Sequence, residues 1–141
     1  LDIKATNQAW KVFLETIRDP VATPQISRLG WCVDYPDANN FIREVFIEGG
    51  SANIKGGGGI SWGAGDPEYD AWAQLLLDAA KERDPQKRTD MYAQAEEVLV
   101  DTYAAIAPIY WYTSSGVTKP YVTRSYAVTG HNEFVTWDVS K

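Results

Sequence analysis

Three features of the chain predict an α/β fold: a strand–helix–strand unit between Leu1 and Val33, two proline-started amphipathic helices in the middle, and a β-rich tail after Pro108. At 141 residues the chain is long enough for one domain with a substantial core. Its 6 Trp, 8 Tyr and 4 Phe exceed what such a core needs, so some rings are expected to line a contact surface. The net charge is −6 and the 13 Lys and Arg are scattered, which argues against a nucleic-acid partner. No apolar run is long enough for a membrane-spanning helix.

In chain order, Leu1-Asp2-Ile3-Lys4-Ala5-Thr6 alternates as a strand does and reads as the continuation of a longer chain. Asn7 is placed to cap a helix carrying Trp10, Phe13, Leu14 and Ile17 at helical spacing. Trp10 is then a core residue or an exposed aromatic at the helix start, and spacing favours the core. Asp19-Pro20 and Thr23-Pro24 end the helix. A second strand follows over Ile26 to Val33, and strand, helix, strand over this span predicts a βαβ unit with parallel strands and a right-handed crossover.

The stretch RLGWCVDYPDANNF, Arg28 to Phe41, is the centre of the chain. The strand stops at Asp34, Pro36 keeps Tyr35 extended, and Asp37 is positioned to cap a helix through Asn39, Phe41, Ile42 and Val45. A carboxylate at the C-terminal end of a strand, beside Trp31 and Tyr35, sits where open α/β sheets hold ligands and would attract an amine. The plainer alternative is that Asp34 only closes the turn with its own backbone. Cys32, the one cysteine, reads as a small buried hydrophobe on the strand or as a thiol whose partner lies elsewhere. No Cys/His spacing suggests a metal, and no cofactor is implied.

From Glu48 to Gly65 the sequence is glycine-rich but lacks a phosphate-loop ending, so it reads as a loop anchored by Trp62. Asp66-Pro67-Glu68 and Asp84-Pro85 each combine an N-cap with proline at the first helical position. The first helix presents Tyr69, Trp72, Leu75, Leu76 and Ala79 on one face; the second presents Met91, Tyr92, Ala95, Val98, Leu99 and Tyr103. The short link between them predicts an antiparallel pair packed on the sheet, with Lys81, Arg83, Lys87 and Arg88 as a solvated face. After Pro108 the chain reads as extended at 109–113, 116–119, 121–123 and 134–139, with His131 in a loop turn.

GWCVDYPDANNF, with NQAWKVFLETI before it and DPEYDAWAQLLLDAA, DPQKRTDMYAQAEEVLVD and APIYWYTSSGVTKPYV after it, resembles solute-binding protein family 5. These receptors bind oligopeptides and dipeptides for ABC importers. The resemblance covers nearly the whole chain, and the GWC-x-D-Y run is similar to the oligopeptide-binding branch in particular. It implies the C-terminal part of a type II periplasmic-binding-protein-like fold: residues 1–111 in the second of two lobes, and residues 112–141 as a tail returning to the first. It implies, too, that Cys32 pairs with a cysteine earlier in that lobe, outside this sequence, and so stands unpaired here.

By the same resemblance Asp34 holds the peptide's α-ammonium group, Trp31 and Trp10 flank side-chain pockets, and Arg28 meets the peptide carboxylate at one ligand length. Backbone groups beside Trp31, Cys32 and Val33 complete strand-like pairing, with Tyr35 at the rim. The expected partners are a peptide and, through the intact receptor, a membrane permease. The expected location is extracytoplasmic, in the periplasm or at the cell surface, with a lipid anchor on the whole receptor as one arrangement. Alone, the chain is expected to self-associate through its uncovered apolar surface. Two other readings stand beside this one. A receptor of the same family would take an oligosaccharide, a nickel complex or haem; a glycoside hydrolase would use Asp34 and Asp37 as its carboxylate pair.

Overall fold

The computed structural model describes residues 2–54, 58–60, 62–63, 65–113, 115–131 and 133–140. Positions 55–57, 61 and 64 of the glycine-rich stretch therefore lie outside the described residues, as do parts of the tail and the Asn132 position of the His131 turn. Four helices are present: α1 (Trp10–Thr16), α2 (Ala38–Phe46), α3 (Pro67–Ala79) and α4 (Pro85–Glu97). Two small antiparallel sheets accompany them, β1 (Asn53–Ile54) with β2 (Gly58–Gly59) and β3 (Val122–Thr123) with β4 (Asp138–Val139).

The helix starts follow their caps. Asp37, in extended backbone at φ −148° and ψ 142°, accepts a hydrogen bond from the Asn39 N–H and opens α2. Asp66 accepts from the N–H groups of Glu68 and Tyr69, and Asp84 from that of Lys87, each with proline as the next residue. Helix α1 begins two residues later than Asn7 would place it, at an Ala9 N-cap that makes no side-chain bond.

The core is a helical cluster closed by one loop residue. Helix α2 packs against α3 and α4, which pack on each other. Ile42, Tyr69, Trp72, Leu76, Ala79, Tyr92, Ala95 and Leu99 meet around Trp62, which is only 2% exposed. Trp62 stacks on Tyr103 at 4.0 Å between ring centroids and lies edge-on to Tyr69 at 5.3 Å. The Trp72 indole N–H donates to the Ala95 carbonyl at 2.9 Å, so a polar edge is satisfied inside the core. Buried Asn53 donates to the carbonyls of Phe46 and Trp62 and pins the loop to the end of α2.

Helix α4 continues into a π-turn, Val98–Thr102. Ala104 then takes a positive φ of 50° and the helix ends. The wider turn brings the Tyr103 hydroxyl to 2.7 Å from Asp66 Oδ2, at the start of α3. That bond, followed by the backbone bonds from Glu68 and Tyr69, holds the Asp66 carboxyl below its usual range.

Several expectations are corrected. No strand forms at 2–6 or at 26–33, so there is no βαβ unit among the described residues and no sheet beneath the helical pair. The 26–33 segment carries no regular secondary structure, with Ile26 89% exposed. A strand is stabilised by a laddered neighbour, and among the described residues neither segment finds one. Trp10 is 62% exposed, not core; it touches Phe13 at 5.7 Å. Residues 109–113 and 116–119 form no strand, and 134–136 form a 3₁₀ turn ahead of β4.

Arg88 is not part of a solvated face. Its guanidinium bridges both oxygens of Asp37, at 2.7 and 2.8 Å, and its Nε donates to the Ala79 carbonyl at 3.2 Å. The α2 cap is thereby tied to α4 and to the end of α3. Arg88 holds the Asp37 carboxyl below the usual carboxylate range, and burial opposes this less strongly. A depressed carboxyl stabilises the fold above its unfolded-state pKa and loses that contribution as pH falls through the folded value. Arg88→Met should therefore cost about 1–3 kcal/mol in urea unfolding at pH 7, between the ranges for exposed and buried pairs. The difference from wild type should shrink as pH is lowered through the folded-state pKa of Asp37. A pH-independent difference would assign the loss to packing alone.

Candidate functional site

The site is the turn from the irregular 28–34 segment into α2, together with the 110–112 segment beside it. The turn is held by Asn40, in the first turn of α2, which is 2% exposed. Its Oδ1 accepts from the backbone N–H of Asp34 at 2.9 Å and from the Trp31 indole N–H at 3.0 Å. Its Nδ2 donates to Asp34 Oδ2 at 3.2 Å. One carboxamide thus fixes Asp34 at backbone and side chain and fixes the Trp31 ring as well. Asp34 itself is exposed, and Trp31 is half-buried. The carboxylate does not close the turn onto its own backbone; its bond comes from a helix side chain.

Tyr35 is exposed, and its hydroxyl accepts from Asn39 Nδ2 at 2.6 Å. The Tyr92 hydroxyl donates to Asn39 Oδ1 at 3.0 Å, and the Arg88 guanidinium lies 4.9 Å from the centroid of the Tyr92 ring. A chain of polar contacts therefore runs from Tyr35 at the surface to the Asp37–Arg88 pair. Burial raises the Tyr92 phenol above its ordinary value, partly offset by Arg88.

On the other side, Arg28 donates to the hydroxyls of Tyr110 and Tyr112 and lies 5.7 and 5.9 Å from their ring centroids. Electrostatic attraction to Tyr110 and then Tyr112 raises the guanidinium above its ordinary value, so it is a fixed positive charge. The bond between the two phenols lowers Tyr110 and raises Tyr112. A Cβ at Gly30 would meet the Tyr112 hydroxyl at 3.4 Å, an ordinary van der Waals contact, so the two segments lie side by side without requiring glycine there. Phe41 of α2 meets Trp111 edge-on at 5.7 Å, although Trp111 is 81% exposed.

Of the residues singled out from sequence, Asp34 and Trp31 are joined through Asn40 and Tyr35 bonds the neighbouring Asn39, whereas Arg28 bonds Tyr110 and Tyr112 instead. Val33 is half-buried and Cys32 is an exposed free thiol, so of the two readings of Cys32 the buried hydrophobe is the one corrected. Among the described residues, no backbone group of Trp31, Cys32 or Val33 has a hydrogen-bond partner. Trp10 shares no ring contact or hydrogen bond with this group; its ring partner is Phe13. Asn40, Tyr110 and Tyr112 were not singled out. The Asn39-Asn40 pair after the cap is the one signal that could have pointed to the first, because asparagine early in a helix often bonds the preceding turn. No group of residues with metal-ligating geometry occurs among the described residues.

Over 124 residues the chain is 31% identical to the periplasmic oligopeptide-binding protein OppA of Salmonella typhimurium, covering 86% of this chain and 20% of that protein. It is 37% identical over 113 residues to the dipeptide-binding protein DppE of Bacillus subtilis, covering 79% of this chain and 18% of that one. The probable deoxycholate-binding periplasmic protein YgiS of Escherichia coli is 32% identical over 113 residues, covering 80% and 18%. The chain thus spans about a fifth of the length of the curated relatives it matches. No family model matches it, and no solved structure matches it significantly.

Cys32 has an immediate consequence for chemistry. A thiol exposed on an irregular segment is open to attack on a disulfide reagent. Ellman's reagent should titrate one thiol per chain in native buffer, with no further release on adding denaturant; a thiol detected only after unfolding would contradict its placement.

Proposed function

Because the chain resembles the oligopeptide- and dipeptide-binding proteins of solute-binding protein family 5 over most of its length, we propose that it is the ligand-holding part of an extracytoplasmic peptide receptor. The receptor delivers peptides to an ABC importer and catalyses nothing. The observation that carries this reading is Asp34: an exposed carboxylate at the mouth of a turn, its direction set by Asn40 and its neighbour Trp31 held by the same amide. An α-ammonium group docking there gains charge-assisted hydrogen bonds, and the adjacent indole excludes water from the pair.

The remaining roles follow from the same face. The Trp31-Cys32-Val33 backbone offers strand-like pairing to a peptide main chain, which gives affinity without reading side chains. Tyr35 borders the ammonium end. Arg28, cradled by Tyr110 and Tyr112, supplies the positive charge for a peptide carboxylate. Trp10, exposed on α1, is an aromatic wall of a more distant pocket. Residues 1–111 belong to one lobe and residues 112–141 lead to the other, which closes the clamp over the ligand.

A second solute class has one observation in its favour: a relative named as probable deoxycholate-binding is 32% identical over 80% of this chain, though it is a weaker match than the peptide-binding ones. Exposed aromatics beside a fixed arginine suit an amphipathic acid as well as a peptide. Sugar, nickel-complex and haem receptors are the other members of this alternative. The hydrolase reading loses its second carboxylate, because both oxygens of Asp37 are engaged by Arg88 and one of them also caps α2.

Isothermal titration of the receptor containing this chain should give binding of tri- to pentapeptides and none of cello-oligosaccharides or deoxycholate. Binding of either competitor without peptide binding would overturn the peptide assignment. Asp34→Ala in that receptor should cost about 2–5 kcal/mol of peptide affinity, as expected when one partner of a desolvated charge pair is removed. The 141 residues alone should bind tripeptides more weakly than about 1 mM, since half the burial is missing. Micromolar binding by this chain would show that the other lobe is not needed.

A further inference from the structure

We propose that Asn40 is a positioning residue for ligand capture, setting the direction of the Asp34 carboxylate and coupling it to the Trp31 ring. The inference rests on the reading of Asp34 as the ammonium site.

Asn40 is almost fully buried, and its side chain spends its hydrogen bonds on the two residues that would face the ligand. A buried carboxamide stripped of partners bears its whole desolvation cost, so this arrangement is self-enforcing. Oδ1 serves two donors, the Asp34 N–H and the Trp31 indole N–H. Nδ2 takes one lone pair of Asp34 Oδ2. Asp34 Oδ1 has no intramolecular hydrogen bond among the described residues, which leaves it as the oxygen for an incoming cation.

The side chain must carry both a donor and an acceptor. A carboxylate at position 40 would repel Asp34, a leucine would leave two N–H groups unpaired, and a serine is too short to reach three partners. Its platform is firm: Asn40 stands in the first turn of α2, whose cap is clamped by Arg88, so the direction given to Asp34 is referenced to the helical core. An exposed carboxylate would otherwise sample several rotamers and lose that freedom on binding.

The test is a double-mutant cycle in the receptor containing this chain, read by calorimetry with trialanine and with N-acetyl-trialanine. Asn40→Ala should weaken trialanine about tenfold, the size of one hydrogen bond to a charged group. It should change the acetylated peptide by less than about twofold, and add less than about twofold in an Asp34→Ala background. Equal losses for both peptides, additive with Asp34→Ala, would show that Asn40 serves only the fold and would overturn the positioning role alone. No effect of Asp34→Ala on trialanine would overturn this inference together with the peptide-receptor reading. Thermal melting establishes that the variant is folded. If alanine is not tolerated, Asn40→Ser, whose hydroxyl can serve one partner, should show the same peptide selectivity with a smaller loss, and a loss without selectivity would count against the role.

Discussion

The bidentate pair between Asp37 and Arg88 is the contact on which the rest depends. A single aspartate starts α2, accepts both guanidinium nitrogens from α4, and stands three residues after the exposed carboxylate of the turn. Charge-assisted, paired hydrogen bonds of this kind have a narrow geometry, which makes them a good reference point as well as a source of stability. Arg88 also reaches the Ala79 carbonyl at the end of α3, so one cation joins three helices. Removing that tie would free the turn that carries the candidate site from the core beneath it.

Beneath it, the core is organised by aromatic packing more than by aliphatic layers. Trp62 arrives from a loop rich in glycine and fills the space between α3 and the end of α4, where Tyr69, Trp72 and Tyr103 surround it. A helical cluster of this size has little apolar area to spare, and one large ring contributes what several smaller side chains would otherwise supply. The contrast with the tail is clear. Tyr110, Trp111, Tyr112, Phe134 and Val135 are exposed, and among the described residues the tail's strand pairing is the two-residue ribbon of β3 with β4.

What could be read from sequence divides along physical lines. The Asp37, Asp66 and Asp84 caps and the two helical faces were legible because capping and helical periodicity are local. The strands at 1–6 and 26–33 were not, because a strand is decided by its neighbour, and β propensity alone cannot supply one. Arg88 looked like any other surface cation until α4 was placed against α2. Within the candidate site, Asp34 and Trp31 were singled out from their position at the end of an expected strand; Asn40, which bonds both, lies six positions after Asp34 and carried only the signal of an early-helix asparagine. The tyrosines beside Arg28 are more than eighty positions away and no local pattern links them to it.

The π-turn at Val98–Thr102 has a further implication for the geometry of the helical cluster. One added residue in a helix rotates everything after it by about 100° relative to a regular α-helix. Here that offset delivers the Tyr103 ring onto Trp62 and its hydroxyl onto the Asp66 cap, so the last turn of one helix seals the first turn of another. The closing of the cluster is therefore a matter of phase: shortening this stretch by one position would keep Tyr103, Trp62 and Asp66 and still part them.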